Sequence, residues 1–569
     1  MSISMKWIYP ETSAEDVLDY SRLFRLPLLY TRVLLNRNIR SLPALEQYFD
    51  KKNATLYDPF LMLDMDKAVT IMIDACKEKK KILIYGDYDV DGVTSTSILY
   101  LFLRTLNENV YYYIPEREKE GYGVSMEGID HAIEQQINLV ITCDCGITAN
   151  EEIAYAVRNG ISVIITDHHE QGEFLPEASA ILDPKRNEDN YPFRELCGAG
   201  VVFKLLQGIC ISLYGNADKT TPYLDLVAIG TAADIVPLTD ENRCMVRAGL
   251  ERIRGQVCRP GILELFNVCK MSAEDISVVN IVFGLAPRLN AVGRMGNASR
   301  AITLLTTEDR KIAREFSIIL HQENAERQRV ERNVTREAVA QVREKYGDKL
   351  PKALILAGEW HPGVIGIVSS KIKDCFNRPV FLIALSDGAG KGSGRSITGF
   401  DLHAALTACS THLSAYGGHQ MAAGLTIDAE NIPEFEAEFL SYAESNISET
   451  MLEPAIEVDA PVTLPEIGSR LLDFLHDMEP FGPGNMRPKF SLHGVSVKNV
   501  SLLKDKHLKF TIKEDNITLN CIGWNMLTKY EMVMDSSQRV DLAFVPTINV
   551  WNDIKRIQLV IKDIRPHRP

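Results

Sequence analysis

The sequence predicts an α/β protein: a parallel sheet covered by helices, a long connecting helix, a smaller α/β domain and a C-terminal β-barrel. Three observations carry this reading. Between residues 56 and 305, short β-rich runs alternate with helical segments, the pattern of a parallel sheet buried on both faces. Residues 306–347 keep apolar residues at helical spacing on either side of a polar stretch, ENAERQR. From residue 452 onward the chain turns to short alternating runs, as in a small barrel or sandwich.

The elements follow in order. Residues 1–55 form a helical lead-in, where RLFRLPLLYTRVLLNRNIR sets arginines among leucines. An amphipathic helix with a solvated basic face explains this at least as well as a DNA contact. The sheet is expected from KILIY (81–85), VYYYI (110–114), LVIT (139–142) and ISVIIT (161–166). TTED supplies an N-cap and an acidic first turn for the long helix, and Gly347 and Pro351 mark its end. Ile312, Phe316, Ile319 and Leu320, then Val330, Val334, Ala338 and Val342, keep helical spacing. Such a helix spans roughly 60 Å, enough to connect two domains. In the second α/β domain, residues 348–448, ALILAG and PVFLIAL read as strands and HPGVIGIVSSKIKD as a turn entering a helix. The barrel, residues 452–569, is expected from IEVDAPVTL, KFSLHGVSVKNVSLL, HLKFTIK, ITLNCIGW, VDLAFVPTINVW and IQLVIKDI.

Bulk properties narrow the function. A chain of 569 residues needs several cores, three or four domains by length. No apolar run reaches the ~18 residues of a membrane span, and the start, MSISMKWIYP, lacks the pattern of a secretory signal. The 11 cysteines are scattered without CxxC pairs, which fits free thiols in a reducing cytoplasm. The net charge of −14 taken alone argues against a nucleic-acid partner, but it describes no single face. GAGKGSG lacks the spacing of a phosphate-binding GxxxxGK[ST] loop, so no nucleotide-driven motor is expected.

The chemistry concentrates at strand ends. KILIY leads into GDYDVDG, with Asp87, Asp89 and Asp91. LVITC leads into Asp144, and ISVIIT into Asp167, His168 and His169. A fourth segment, GTAADIVPL, adds Asp234. Strand ends of a parallel sheet share one edge, where ligands bind. Carboxylates packed there without cations would repel one another and take up protons. Carboxylate with imidazole suits Mn²⁺ or Mg²⁺. Two such ions about 3.5–4 Å apart can share a carboxylate, activate water and stabilise a phosphoryl transition state. Each motif alone has a structural reading. A DxD can cap a helix, CDCG can be a turn with Cys143 and Cys145 as packing residues, and a lone Asp234 is unremarkable. Four in order, three of them after strand-like runs, outweigh those readings.

GDYDVDG, TCDCG, TDHHE and GTAADIVPL resemble the ordered motifs of the DHH phosphoesterase superfamily, dinuclear Mn²⁺ or Mg²⁺ hydrolases of phosphoanhydrides or phosphodiesters. The resemblance implies that Asp89, Asp91, Asp144, His168 and Asp234 ligate metal, with Asp144 bridging. It places Asp87 and His169 beside the metals as catalytic residues, His169 facing the scissile phosphate. PEREKEGYG (115–123), PRLNAVGRM (287–295), GSGRS (392–396), GGHQMAAG (417–424) and EPFGPGN (479–485) are similar, in order, to the RecJ-type exonuclease family within that superfamily. There GGHQMAAG belongs to the DHH-associated domain and EPFGPGN to the entry of a C-terminal OB-fold. The chain departs at Val90, where that pattern has alanine, and at PRLNAVGR in place of PRINAAGR; both are apolar changes. Phosphate or DNA contacts are implied for Arg117, Arg288, Asn290, Arg294, Ser393, Arg395 and His419. Arginine's rigid fork suits phosphate, although any single loop arginine is more often solvated. In the OB-fold, His507, Lys509, Phe510 and Trp524 are candidates for single-strand contact, against a core role for Phe510 and Trp524.

The expected function is that of a 5′→3′ exonuclease in DNA repair and recombination, releasing 5′-mononucleotides from single-stranded DNA with two divalent cations. Arg117, Ser393 and Arg395 would hold the 5′-terminal phosphate. Single-stranded-DNA-binding protein and a RecQ-type helicase are the expected partners. The alternatives are a DHH phosphodiesterase for short oligonucleotides or cyclic dinucleotides, and a catalytically dead nucleic-acid scaffold.

Overall fold

Ile82–Gly86 (β1) and Leu139–Cys143 (β3) are buried at every residue, so neither shows the alternation of a half-solvated strand. With Val110–Tyr113 (β2), Ser162–Thr166 (β4) and Ala180–Leu182 (β5) they form an all-parallel sheet of order β2-β1-β3-β4-β5. The order reverses between β1 and β3, and there the crevice beyond the strand ends opens. The computed structural model describes residues 5–50, 56–116, 119–121, 123–295, 297–347, 349–534, 539–551 and 554–568. Arg117 lies outside these residues.

The chain divides into two compact units. The first comprises residues 50–327 and 479–486, the second residues 1–49, 328–478 and 487–569. In the first, one sheet face packs on Val90–Leu103 (α1) and Gly198–Tyr214 (α2), through residues such as Val93, Leu99, Val202 and Phe203. The other face carries Leu83, Tyr85, Ile129 and Ile153. Behind α2 follow Leu224–Asp234 (α3), Asp240–Arg254 (α4) and Ala286–Met295 (α5). The long helix is Arg310–Tyr346 (α6), 37 residues or roughly 55 Å, and its residues divide between the two units.

In the second unit, Leu354–Gly358 (β6), Val380–Ser386 (β7), Ala389–Arg395 (β8), Ala415–His419 (β9) and Ala422–Asp428 (β10) form a sheet of order β9-β10-β8-β7-β6. Pro362–Phe376 (α7) and the later part of α6 cover one face through Val364, Val368, Val334 and Ala338. Phe435 and Phe439 cover the other.

The C-terminal strands are Ala460–Pro461 (β11), Phe490–Val495 (β12), Val497–Leu503 (β13), His507–Glu514 (β14), Ile517–Gly523 (β15), Val540–Trp551 (β16) and Ile554–Pro566 (β17). They make one sheet of order β11-β12-β16-β17-β15-β14-β13. The run KFSLHGVSVKNVSLL is thus two strands, broken at Ser496.

The lead-in packs within the second unit. Its arginine-rich run is two helices, Ala14–Phe24 and Leu28–Leu35, separated by Arg25 in the left-handed region and Pro27. Arg37 forms a largely buried ion pair with Asp459 at 2.8 Å, and Lys6–Ile8 pairs with Ala455–Glu457. Arg37, at least, serves packing. All 11 cysteines are free, and Cys143 and Cys145 are buried as packing residues.

Candidate metal centre

Strand register builds the site. Gly86 pairs with Cys143 and Cys143 with Thr166, so β1, β3 and β4 end flush. The next residues, Asp87, Asp144 and Asp167, therefore stand in a row. Their amides bond to the neighbouring strand ends: Asp87 to Cys143 O at 3.2 Å, Asp144 to Thr166 O at 2.9 Å, Asp167 to Leu182 O at 3.0 Å. Asp144 sits at φ 63, a region aspartate tolerates better than most residues, and this turns the chain out of the sheet.

The other carboxylates come from helices. Asp89 is the N-cap of α1, accepting from Gly92 N at 3.0 Å, and Asp91 lies in its first turn. Asp234 is the last residue of α3. Three sets of ligand atoms each lie within 4.8 Å of one another: Asp87, Asp89 and Asp144; Asp91, His168 and Asp234; and Asp144, His168 and His169. Asp144 and His168 each belong to two of the three sets.

Several of these atoms have no protein partner. Asp144 Oδ1, Asp234 Oδ2 and both His168 ring nitrogens are buried without a hydrogen bond. His168 Nε2 lies 3.0 Å from Asp144 Oδ1, 3.7 Å from Asp234 Oδ2 and 3.8 Å from Asp91 Oδ2. Buried polar atoms left unpaired are costly, and their convergence fits a cation-binding cradle.

Electrostatics agree. Burial, then Asp91, Asp89 and Asp234, push Asp144 well above the usual carboxylate range. Burial, then Asp234 and Asp89, do the same to Asp91, against the backbone amides it accepts from. Asp234 rises to about 6 through burial and the charge of Asp89. Burial, then the neighbouring His169, drops His168 to about 3, so its imidazole is neutral and can ligate. Burial would also lower His169, but its 2.6 Å bond to Asp167 prevails and raises it to about 9.

Some supporting residues escape a reading of the strand-end motifs. Gly198 N and Ala199 N, at the start of α2, donate to Asp91 at 2.6 and 2.9 Å, a helix N-terminus holding an anion. A Cβ on Gly198 would lie 2.7 Å from Asp144 Cβ, and one on Gly230 would lie 2.8 Å from Asp91 Oδ1. The signal was the CGAG run opening an apolar helix. Asp183, buried beside Asp167, is raised to about 8 by burial and that neighbour's charge.

The expected phosphate ligands divide. Asn290 Oδ1 accepts from Val90 N at 3.1 Å, and a Cβ on Gly293 would meet Tyr88 O at 2.6 Å. The PRLNAVGR helix, α5, therefore buttresses the GDYDVDG loop. Arg288 donates to His321 Nδ1 at 3.1 Å and Gly284 O at 2.6 Å, and Arg294 lies in the last turn of α5. Ser393, Arg395 and His419 are all in the second unit. Arg395 donates to Gly394 O at 2.7 Å and Ser393 Oγ at 3.4 Å, beside Gly366 of α7. His419 ends the exposed strand β9, paired to β10, which in turn pairs with β8. In the C-terminal sheet Phe510 is 1% exposed and fills the core, whereas Trp524 is 53% exposed. His507 stacks edge-on against Trp524 at 4.8 Å, and Lys509 is exposed.

The fold and the clustered acids define a DHH phosphoesterase. Residues 81–231 match the model of the DHH family N-terminal domain, residues 350–445 the DHHA1 domain and residues 458–563 the RecJ OB domain. The chain belongs to the RecJ family of single-stranded-DNA-specific exonucleases. It is 37% identical to the Bacillus subtilis single-stranded-DNA-specific exonuclease RecJ over 99% of this chain and 71% of that protein. To the Escherichia coli protein of the same name it is 34% identical, over 95% of this chain and 96% of that one. The crystal structure of Thermus thermophilus RecJ in complex with Mn²⁺ superposes with a TM-score of 0.85 at 29% identity, covering 100% of this chain and 80% of that chain.

Proposed function

We propose that this chain degrades single-stranded DNA from its 5′ end to 5′-mononucleotides, in DNA repair and recombination, using two divalent cations, Mn²⁺ or Mg²⁺. One observation supports the metal centre above the rest. Asp144 Oδ1, Asp234 Oδ2 and His168 Nε2 converge, buried and without hydrogen bonds, at the edge of a parallel sheet. Asp89, Asp91, Asp144, His168 and Asp234 would hold the cations, and Asp87 shares a cluster with Asp89 and Asp144. When bound, the cations neutralise these carboxylates and stabilise charge on the scissile phosphate.

The chain's own groups do the rest. Gly198 N and Ala199 N fix the Asp91 carboxylate, and Val90 N is fixed by Asn290. Asp167, bonded to His169 Nδ1 at 2.6 Å, orients its imidazole, which would face a phosphate oxygen. Ser393 and Arg395 would grip the 5′-terminal phosphate and so set polarity. Trp524, with His507 and Lys509 nearby, offers a stacking and cationic surface for the strand. An exonuclease confined to single strands needs other proteins to supply them, so single-stranded-DNA-binding protein and a RecQ-type helicase are the proposed partners. The proposed compartment is the cytoplasm. Among the described residues no helix is long and apolar enough to cross a membrane.

Comparing hydrolysis of a long single strand with that of a dinucleotide, with Mn²⁺ and with EDTA, tests the reading. Metal-dependent preference for the long strand supports it. Preference for the dinucleotide would point to an oligonucleotide phosphodiesterase instead.

A further inference from the structure

EPFGPGN stands out by its glycine and proline content, and the chemistry above does not use it. Glu479–Met486 belongs to the first unit, whereas the residues on either side, to Met478 and from Arg487, belong to the second. Within the first unit this segment sits on the loop that follows Asp234.

That loop matters because Asp234 Oδ2 is buried without a hydrogen bond. The backbone around Asp234 must set where its carboxylate lies. The next residue, Ile235, has φ 65 and ψ 22. β-Branched residues rarely enter this left-handed region, and such strain persists only where the surroundings over-determine it. Ile235 is 61% exposed, so its own side chain does not provide the hold.

The surroundings do. From α4, Asn242 Nδ2 donates to Pro237 O at 3.0 Å. From the other segment, Pro483 O accepts from Leu238 N at 2.7 Å. A Cβ on Gly482 would lie 2.5 Å from Leu238 Cδ1, and one on Gly484 would lie 2.9 Å from Thr239 Cγ2. These glycines let the two backbones close together. The segment is itself tied down. Gly482 and Asn485 exchange backbone bonds of 3.1 and 2.9 Å, and Asn485 Nδ2 donates to Pro480 O at 2.8 Å. Arg243 and Arg247 of α4 donate to Glu479 O at 3.4 and 3.0 Å.

We propose that Glu479–Met486 is a clamp that positions the Asp234 carboxylate for metal, with Gly482, Gly484 and Asn485 as positioning residues. The inference rests on the reading of Asp234 as a ligand. Calorimetric titration of Mn²⁺ into the metal-free, full-length chain tests both separately. Gly482→Ala and Asn485→Ala should each weaken Mn²⁺ binding about tenfold or more, the effect of losing a group that orients a ligand. If either fails to fold, Gly484→Asn replaces it, because asparagine tolerates the positive φ there. Leu265→Ala, at a fully buried core position of the same unit, serves as the stability control. It should lower the melting temperature and leave Mn²⁺ affinity unchanged. Parental Mn²⁺ binding in Asp234→Asn overturns the ligand reading. Binding lost there but parental in the clamp variants overturns the clamp. So does a deficit in the clamp variants that Leu265→Ala reproduces at an equal melting temperature.

Discussion

Asp144→Asn should stop catalysis and, in the absence of metal, make the protein more stable. Asparagine keeps the side-chain shape and tolerates the φ of 63, so the backbone has no reason to move. In the parent, Asp144 is buried with Oδ1 unpaired, and it faces Asp91, Asp89 and Asp234. An unsatisfied buried polar group costs about 1–3 kcal/mol, and more when charged. Asparagine avoids the cost of taking up a proton or burying a charge at this position, and should recover about 1–2 kcal/mol, or roughly 2–8 °C in Tm for a unit of this size. The activity moves the other way. Asp144 is shared by two ligand sets, and metal assistance supplies several kcal/mol of transition-state stabilisation. At about 1.4 kcal/mol per decade, the loss in kcat should be at least about a thousandfold. The assay combines melts in EDTA and in Mn²⁺ with single-turnover hydrolysis of an end-labelled strand. The parent should gain Tm on adding Mn²⁺ and the variant should not. Near-parental turnover, or a metal-free variant melting well below the parent, would refute the reasoning.

Other consequences follow from the same geometry. Arg395→Ala should lower kcat/KM on 5′-phosphorylated strands about ten- to a hundredfold, as expected for lost hydrogen bonds to a charged group. Its kcat/KM on 5′-hydroxyl strands should hold; equal losses on both would make Arg395 a structural residue. Trp524→Ala should weaken single-strand affinity by about 1–3 kcal/mol at unchanged Tm, whereas Phe510→Ala should cost about 3–5 kcal/mol of stability. The reverse pattern in binding and melting curves would exchange their roles. Asp234, raised to about 6, binds its proton more tightly in the folded than in the unfolded chain. Its contribution to metal-free stability is therefore full below the unfolded carboxylate range and is lost as pH climbs through about 6. Mn²⁺ needs the deprotonated ligands, so the Mn²⁺-induced rise in Tm should grow across that window, and a flat profile would contradict it.

What the sequence revealed was what regular geometry controls. Strand ends in a parallel sheet must share an edge, so Asp87, Asp144 and Asp167 could be placed together from KILIY, LVITC and ISVIIT alone. Asp89 shows why the structural and functional readings of DxD were not exclusive, since it caps α1 and also joins a ligand set. Contacts between distant segments were not legible. Nothing local in CGAG says that its amides meet Asp91, more than a hundred residues away. Asn290 carries the family motif, but its bond to Val90 N depends on how α5 packs. EPFGPGN reads as a turn, and only the fold shows that it leaves its neighbours' unit to hold Leu238. Phe510 and Trp524 look alike in a strand-rich stretch, and burial alone separates core from surface.

Metal dependence and fixed polarity can be read out together. The direct measurement is a time course on duplexes bearing an end-labelled single-stranded tail at either the 5′ or the 3′ end, with Mn²⁺, Mg²⁺ or EDTA. Labelled mononucleotide should appear from the 5′ tail from the earliest time points, with none from the 3′ tail and none in EDTA. Release from the 3′ tail at a comparable rate, or degradation that persists in EDTA, would contradict it.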